Sequence, residues 1–169
     1  MRQVYGRSVG ALLAVAALSA TRPAEAQQYL IGGAAGASSG IEGGGPQGTM
    51  AMTRTRVRLA VDVRIDENPS DVFLVGLDAE VTPTSGIGAD LRYGRMLGDR
   101  GILSGGILGI LAPWTLYGAC AVFEYRIPIA QRVQITVAPE GDVFFLGTDL
   151  PDGTAIWQFR LNGGLRADL

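Results

Sequence analysis

The chain has 169 residues, 47% hydrophobic and 18% charged, with 25 glycines, one cysteine and no histidine. Length and a mean hydropathy of +0.24 predict one folded domain and exclude a disordered chain. All 14 basic residues are arginine against 16 acids, and the net charge of −2 excludes a general nucleic-acid binder.

The lack of histidine removes Ser-His-Asp triads, imidazole zinc sites and haem histidine ligation. Cys120, being alone, forms neither an internal disulfide nor a thiolate cluster. No cofactor is expected.

Residues 1–26 read as an export signal. Arg2 and Arg7 give a positive n-region, and Val9 to Ala20 is an apolar run too short to span a bilayer. Ala24-Glu25-Ala26 then supplies an A-x-A cleavage signature. A short membrane anchor is the alternative, opposed by the length of the run and its small-residue exit. The domain proper is expected over residues 27–169.

Beyond the signal the dominant pattern has period two. In Thr53 to Asp66 (TRTRVRLAVDVRID), Thr55, Val57, Leu59, Val61, Val63 and Ile65 share one face of an extended chain. Arg54, Arg56, Arg58, Ala60, Asp62 and Arg64 share the other, whereas a helix would scatter these arginines around its circumference. Residues 72–82 set Phe73, Val75, Leu77, Ala79 and Val81 against Asp78 and Glu80, and residues 86–97 set Ile87, Ala89, Leu91 and Tyr93 against Asp90 and Arg92. Residues 114–127 set Tyr117 to Ile127 against Glu124 and Arg126, residues 132–140 alternate likewise, and the last run sets Trp157, Phe159, Leu161 and Leu165 against Arg160, Asn162 and Arg166. With glycine-rich strands near 29–38 and 102–112, eight strands of about 9–14 residues are expected.

These strands exceed the usual five or six residues and match the roughly 9–11 that a tilted strand needs to cross a hydrocarbon core. Alternation alone does not say which face is inside. Strand length, aromatic placement and export favour charges in a lumen and apolar groups in lipid. The connections expected at 66–71, 98–101 and 128–131 are tight, and the longest, at 39–51 and 141–153, fall together at the opposite end. Short inner turns with longer outer loops are the rule for membrane barrels.

On the signal, the strand alternation and the final run WQFRLNGGLRADL, the chain resembles the small eight-stranded outer-membrane barrels of Gram-negative bacteria, the OmpA-barrel and OmpX type. The resemblance implies an all-β, eight-stranded antiparallel up-and-down transmembrane barrel with a polar, filled lumen. It implies outer-membrane lipid and, during insertion, the barrel-assembly machinery as partners, with no nucleic acid; it indicates no particular surface partner. The family usually ends in an aromatic residue, where this chain has Leu169.

Gly101 to Phe123 holds no charge over 23 residues, and Gly101, Gly105 and Gly109 are spaced as in packed membrane helices. A transmembrane helix is one reading. Two strands turning at Pro113-Trp114 is the other, favoured by the glycines and by the alternation running on to Arg126. Small inward residues in this stretch are expected to make room for arginines of neighbouring strands.

Chemical candidates are few. Arg58 is expected to face Asp78 or Glu80, which approach Asp90 and Arg92; Asp62, Glu124, Arg126, Arg160 and Asn162 complete a lumen charge network. Buried charges at this density must pair, so the network reads as a structural plug or as a gated path for ions. Gly43, Gly45 and Gly48 match a dinucleotide-binding fingerprint by letter, but Pro46 and a following strand make this a loop. Glu140, Asp142, Asp149 and Asp152 are expected in one outer loop, as solvated acids or as calcium ligands without EF-hand spacing. Cys120 is expected to point inward as an inert small residue, and Tyr93, Tyr117, Tyr125 and Trp157 to form an aromatic belt or packing anchors.

The leading expectation is a non-enzymatic integral outer-membrane barrel serving envelope structure or surface contact. The alternatives are a barrel that binds or transports a small solute or hydrophobic ligand, including a soluble lipocalin-like carrier, and a lipid-modifying enzyme working through Asp78 or Glu80.

Overall fold

The computed structural model describes residues 29–44, 51–65, 68–82, 85–148, 150 and 153–169. The expected export signal at 1–26 and the glycines at 45 and 48 lie outside them. Eight strands follow one another: β1 (Tyr29–Gly44), β2 (Ala51–Ile65), β3 (Asn68–Thr82), β4 (Gly86–Leu97), β5 (Gly101–Ala112), β6 (Leu116–Ala130), β7 (Val133–Gly147) and β8 (Ile156–Asp168). Each pairs antiparallel with its neighbours in sequence, and β8 pairs with β1 to close the barrel. The amide of Leu169 extends the closing seam to the Ile31 carbonyl at 2.9 Å.

Alternation is obeyed all the way round, with the usual sense of inside and outside reversed. Arg160 and Arg166 are 2% and 1% exposed, whereas Ile107 and Leu77 are 66% and 58% exposed. On β2 the inward row holds Arg56, Arg58, Ala60, Asp62 and Arg64, and the outward row Val57, Leu59, Val61 and Val63.

Register fixes the shape. A row of paired residues runs Leu97, Gly101, Tyr125, Val137, Gly163, Ala37, Val57, Ala79 and back to β4 at Ile87. The row returns ten residues along the strand from its start. Ten residues at about 3.3 Å against eight strands at about 4.8 Å give a tilt of about 41°, the ordinary value for a closed barrel of this size. Eight strands leave an interior just wide enough for side chains to fill.

The connections at one end, 66–67, 98–100 and 131–132, are short. Those at the other end are 45–50, 83–85, 113–115 and 148–155. The two ends are called the turn end and the loop end below. Tyr29, Phe73, Tyr93 and Tyr125 point outward toward the turn end; Tyr117, Phe145 and Trp157 do so toward the loop end. All four expected belt aromatics are therefore outward. The Phe73 and Tyr93 rings meet at 5.3 Å between centroids. Tyr125 and Tyr117 stand about 20 Å apart along the barrel axis at this tilt, with apolar side chains between them.

Of the two readings of Gly101–Phe123, the favoured pair of strands is the one observed: β5 and β6 turn at 113–115, where Pro113 cannot continue a ladder. Two expectations are corrected. The strands run longer than expected, 12 to 16 residues, because β1 continues to Gly44 and β7 to Gly147 through segments read as loops. Glu140 and Asp142 consequently stand on a strand, and Phe144 is fully buried inside the barrel while Phe145 points out.

A candidate site: the charged lumen

The interior is layered along the axis. At the loop end, Leu108, Ile110, Leu116, Cys120, Phe144 and Leu150 form an apolar cluster, with Trp114 and Ile156 against it. Leu150 comes from the β7–β8 connection, and the hydroxyls of Thr148 and Thr115, 2.8 Å apart, join the end of β7 to the β5–β6 turn. Cys120 is thus inward and buried, as expected. A smaller apolar cluster of Val72, Leu74 and Ile102 fills one side nearer the turn end.

Beneath the loop-end cluster lies an upper charge network. Arg56 Nε donates to Glu80 Oε1 at 3.0 Å and its Nη2 to Gln158 Oε1 at 2.8 Å, and its guanidinium carbon lies 6.0 Å from the centroid of Phe144. Gln158 Nε2 donates in turn to Glu42 at 2.6 Å. Arg160 Nη2 reaches Glu140 Oε1 at 2.6 Å and also bonds Asp142. Asn162 holds the other Glu140 oxygen at 2.6 Å and the Ala138 carbonyl at 3.0 Å.

Arg58 is the link between sectors. It stands opposite Asp78 in register, yet its Nη2 crosses to Asp90 on β4, while Nη1 lies 3.7 Å from Glu140 on β7. Arg92 Nε is 2.8 Å from the same Asp90. Arg58 faces Asp78 in register, as expected, but its hydrogen bond passes over Gly76 to Asp90 on the next strand, and Glu80 is bonded by Arg56. A Cβ at Gly76 would collide with both the Arg58 guanidinium and the Asp90 carboxylate.

A lower network occupies the turn end and is centred on Asp62. Arg166 forks onto it at 2.7 and 2.9 Å, with Arg126 at 3.7 Å and Arg64 at 3.9 Å. Arg126 also binds Glu124 at 2.6 Å, and Arg166 binds Asp168 at 2.5 Å. Between the networks Ala34, Gly36, Ala60, Thr136, Ala138 and Gly164 are too small to meet, and a cavity of about 50 Å³ remains. Only a few waters would fit there.

Every residue of the expected network faces the lumen, divided between the two clusters. The sequence reading missed Glu140 and Asp142, assigned to an outer loop, and gave no role to Arg56, Arg166 or Gln158. Glycines outside 101–123 also make room for arginines: Gly32 and Gly76 underlie the guanidinium groups of Arg166 and Arg58. Gly40 and Gly106 lie first against backbone of β8 and β4, beside Arg160 and Arg92, and Gly118 against backbone of β7. No cluster of three or more carboxylate or thiol ligands suited to a metal exists among the described residues.

Fold and interior define a closed eight-stranded antiparallel barrel with ion pairs inside and apolar side chains outside. No family model matches the chain, and no curated protein matches it in sequence. Among solved structures it is similar to the crystal structure of Neisserial surface protein A, with a TM-score of 0.57 and 12% identity over 82% of this chain and 97% of that chain. At that identity the likeness is one of fold.

Proposed function

We propose that the chain is an integral outer-membrane β-barrel of a Gram-negative bacterium, with residues 1–26 as its export signal and no enzymatic activity. Its role on this reading is envelope structure or surface contact, and its lumen charges brace the barrel wall from within. The observation that carries the reading is the reversal of burial: guanidinium groups 1–2% exposed inside, against an outward surface of leucine, isoleucine and valine. In water that surface would be a continuous apolar patch far beyond what a soluble monomer tolerates. In a bilayer it is the required lipid face, and closure satisfies every strand edge.

The aromatic rows support the same placement, since belts separated by about 20–25 Å match the apolar band of such barrels. Placing the turn end in the periplasm and the loop end outside follows the usual division of short and long connections. A soluble carrier of a hydrophobic ligand is disfavoured, because an interior cavity of about 50 Å³ is far below the several hundred Å³ of a ligand pocket.

The test is fractionation of the expressed chain, with gel migration compared before and after boiling. Outer-membrane recovery with a heat-shifted band is the expected result. Recovery from the soluble periplasm would overturn the reading.

A further inference from the structure

We propose that the central cavity of the lumen is a binding site for one small monovalent inorganic anion, of the size of chloride, held by Arg92 and Arg126. The proposal rests on the closed barrel and its interior, not on what surrounds the wall. The cavity measures about 50 Å³, room for a halide ion with about two or three waters. Register explains why there is space. One ladder row runs Arg126, Thr136, Gly164, Gly36 and Arg58, so β8 and β1 place no side chain between two strands that carry arginine.

The donors on the wall exceed what the protein offers them. Arg92 and Arg126 both line the cavity, and each is 4% exposed. Arg92 Nε stands 2.8 Å from Asp90 Oδ1 without the alignment of a hydrogen bond, and the guanidinium makes no hydrogen bond or other ion pair among the described residues. Arg126 donates Nε to Glu124 at 2.6 Å, while its Nη2 is 3.7 Å from Asp62, outside hydrogen-bond reach. A guanidinium carries five N–H donors, and burying them without acceptors is costly. Arg166 lines the same cavity, but its donors are taken by Asp62, Asp168 and Gln134. The free donors on the wall therefore belong mainly to Arg92 and Arg126, with the Thr136 hydroxyl beside Arg126 in register.

Charge sets the kind of ligand. The wall presents four arginines, Arg58, Arg92, Arg126 and Arg166, against three carboxylates, Asp62, Glu124 and Glu140. Each of those carboxylates is already covered by an arginine, Arg166, Arg126 and Arg160 in turn. Asp90 is not on the wall, and Arg58 and Arg92 share it. Asp78 and Asp142, where acids outnumber their partners, are not on the wall either. A single negative charge is what the uncovered guanidinium groups lack, and arginine binds anions through such N–H donors. The loop-end apolar cluster and the Asp62 network close the two ends. The ion is therefore enclosed as the barrel folds and stays as part of the interior.

The experiment refolds the barrel in detergent in potassium chloride, bromide or gluconate at equal ionic strength, with the heat-shifted band as the check on folding. Gluconate is too large for the cavity. The urea midpoint of wild type is expected to be higher in chloride and bromide than in gluconate, and to rise with chloride to saturation, as for a ligand of the folded state. Crystals grown in bromide are expected to show an anomalous scattering peak in the cavity, within hydrogen-bond distance of Arg92 and Arg126. Arg92→Met keeps the bulk of the side chain and removes its donors. It should abolish the difference between salts and be at least as stable as wild type in gluconate. If Arg92→Met does not fold, the wild-type midpoints and the bromide peak decide the matter. Equal wild-type midpoints in chloride and gluconate, a cavity without bromide, or an Arg92→Met that keeps the full chloride effect would overturn the proposal and leave the membrane reading intact. A wild type with no heat-shifted band in any salt would overturn the closed barrel and the site with it.

Discussion

Arg166 on β8 forks onto Asp62 on β2 across the whole width of β1, and Gly32 is the residue of β1 that lets it pass. A Cβ at Gly32 would meet the Arg166 guanidinium and the Asp62 carboxylate at once. The planar guanidinium matches the carboxylate in a way a lysine ammonium does not, which fits a chain whose cations are all arginine.

Breaking that fork from either side should cost far more than removing it whole. Asp62→Ala removes the carboxylate that Arg166, Arg126 and Arg64 share, leaving Asp168 as the acid Arg166 still touches, and a loss of about 3–5 kcal/mol is expected. The double variant Asp62→Leu with Arg166→Met should lose less than either single alanine change, because paired burial and hydrophobic burial are close in energy. Urea unfolding of the folded barrel in detergent, followed by the heat-shifted band, measures all three. A double variant as unstable as the sum of the singles would show that the fork is not the unit of stability.

The outward face gives a sharper contrast. Ile107, 66% exposed in the middle of β5, and Ile129, 56% exposed near the turn end of β6, look equivalent to water. In a bilayer they differ: arginine at mid-depth should cost about 2–4 kcal/mol and near the interface about 0–1 kcal/mol. Ile107→Arg and Ile129→Arg, unfolded in lipid vesicles, are expected to separate by that margin. Equal small costs would place the face in water.

The alternation of β2, β3, β4, β6 and β8 made eight strands and their two faces legible in advance, because a buried charge and an outward leucine at every second residue admit one geometry. β7 was legible only over residues 132–140. Glu140 and Asp142 were assigned to the outer loop that follows, yet parity continues unbroken, with Val137, Pro139, Gly141 and Val143 outward and Ala138, Glu140, Asp142 and Phe144 inward. Pro139 is tolerated because it pairs with Leu161 of β8, while the β6–β7 pairing is interrupted beside it, where its missing donor is not needed. Carrying the parity through would have found both acids. Which arginine takes which carboxylate was not legible, since an arginine reaches past its register partner to the next strand, as Arg58 does.

The corrected placement of β7 has its own test in adjacent phenylalanines. Phe144 is wholly buried in the loop-end cluster beside Leu116 and Leu150, and Phe145 faces outward. Phe144→Ala should destabilise by about 3–5 kcal/mol, the cost of a cavity left by a core aromatic. Phe145→Ala should cost clearly less, since its ring leaves the outer face without opening a void. Similar losses from the two would return this segment to a loop.

Glycines separate in the same manner, by what stands before them. A Cβ at Gly106 would press on the Leu91 carbonyl and the Arg92 Cα, and one at Gly118 on the Val143 carbonyl, all backbone of the neighbouring strand. Neither neighbour can yield without breaking the ladder that closes the barrel, so Gly106→Ala and Gly118→Ala should destabilise by about 1–3 kcal/mol, as overpacking does. Gly163 on β8 has open space where its Cβ would be, on the outward face between Val137 and Ala37. Gly163→Ala should therefore be neutral or stabilise by up to about 1 kcal/mol, by restricting the unfolded chain. Equilibrium unfolding of the three variants in one detergent is the measurement, and a Gly163→Ala as damaging as Gly106→Ala would mean that this face is covered by another surface.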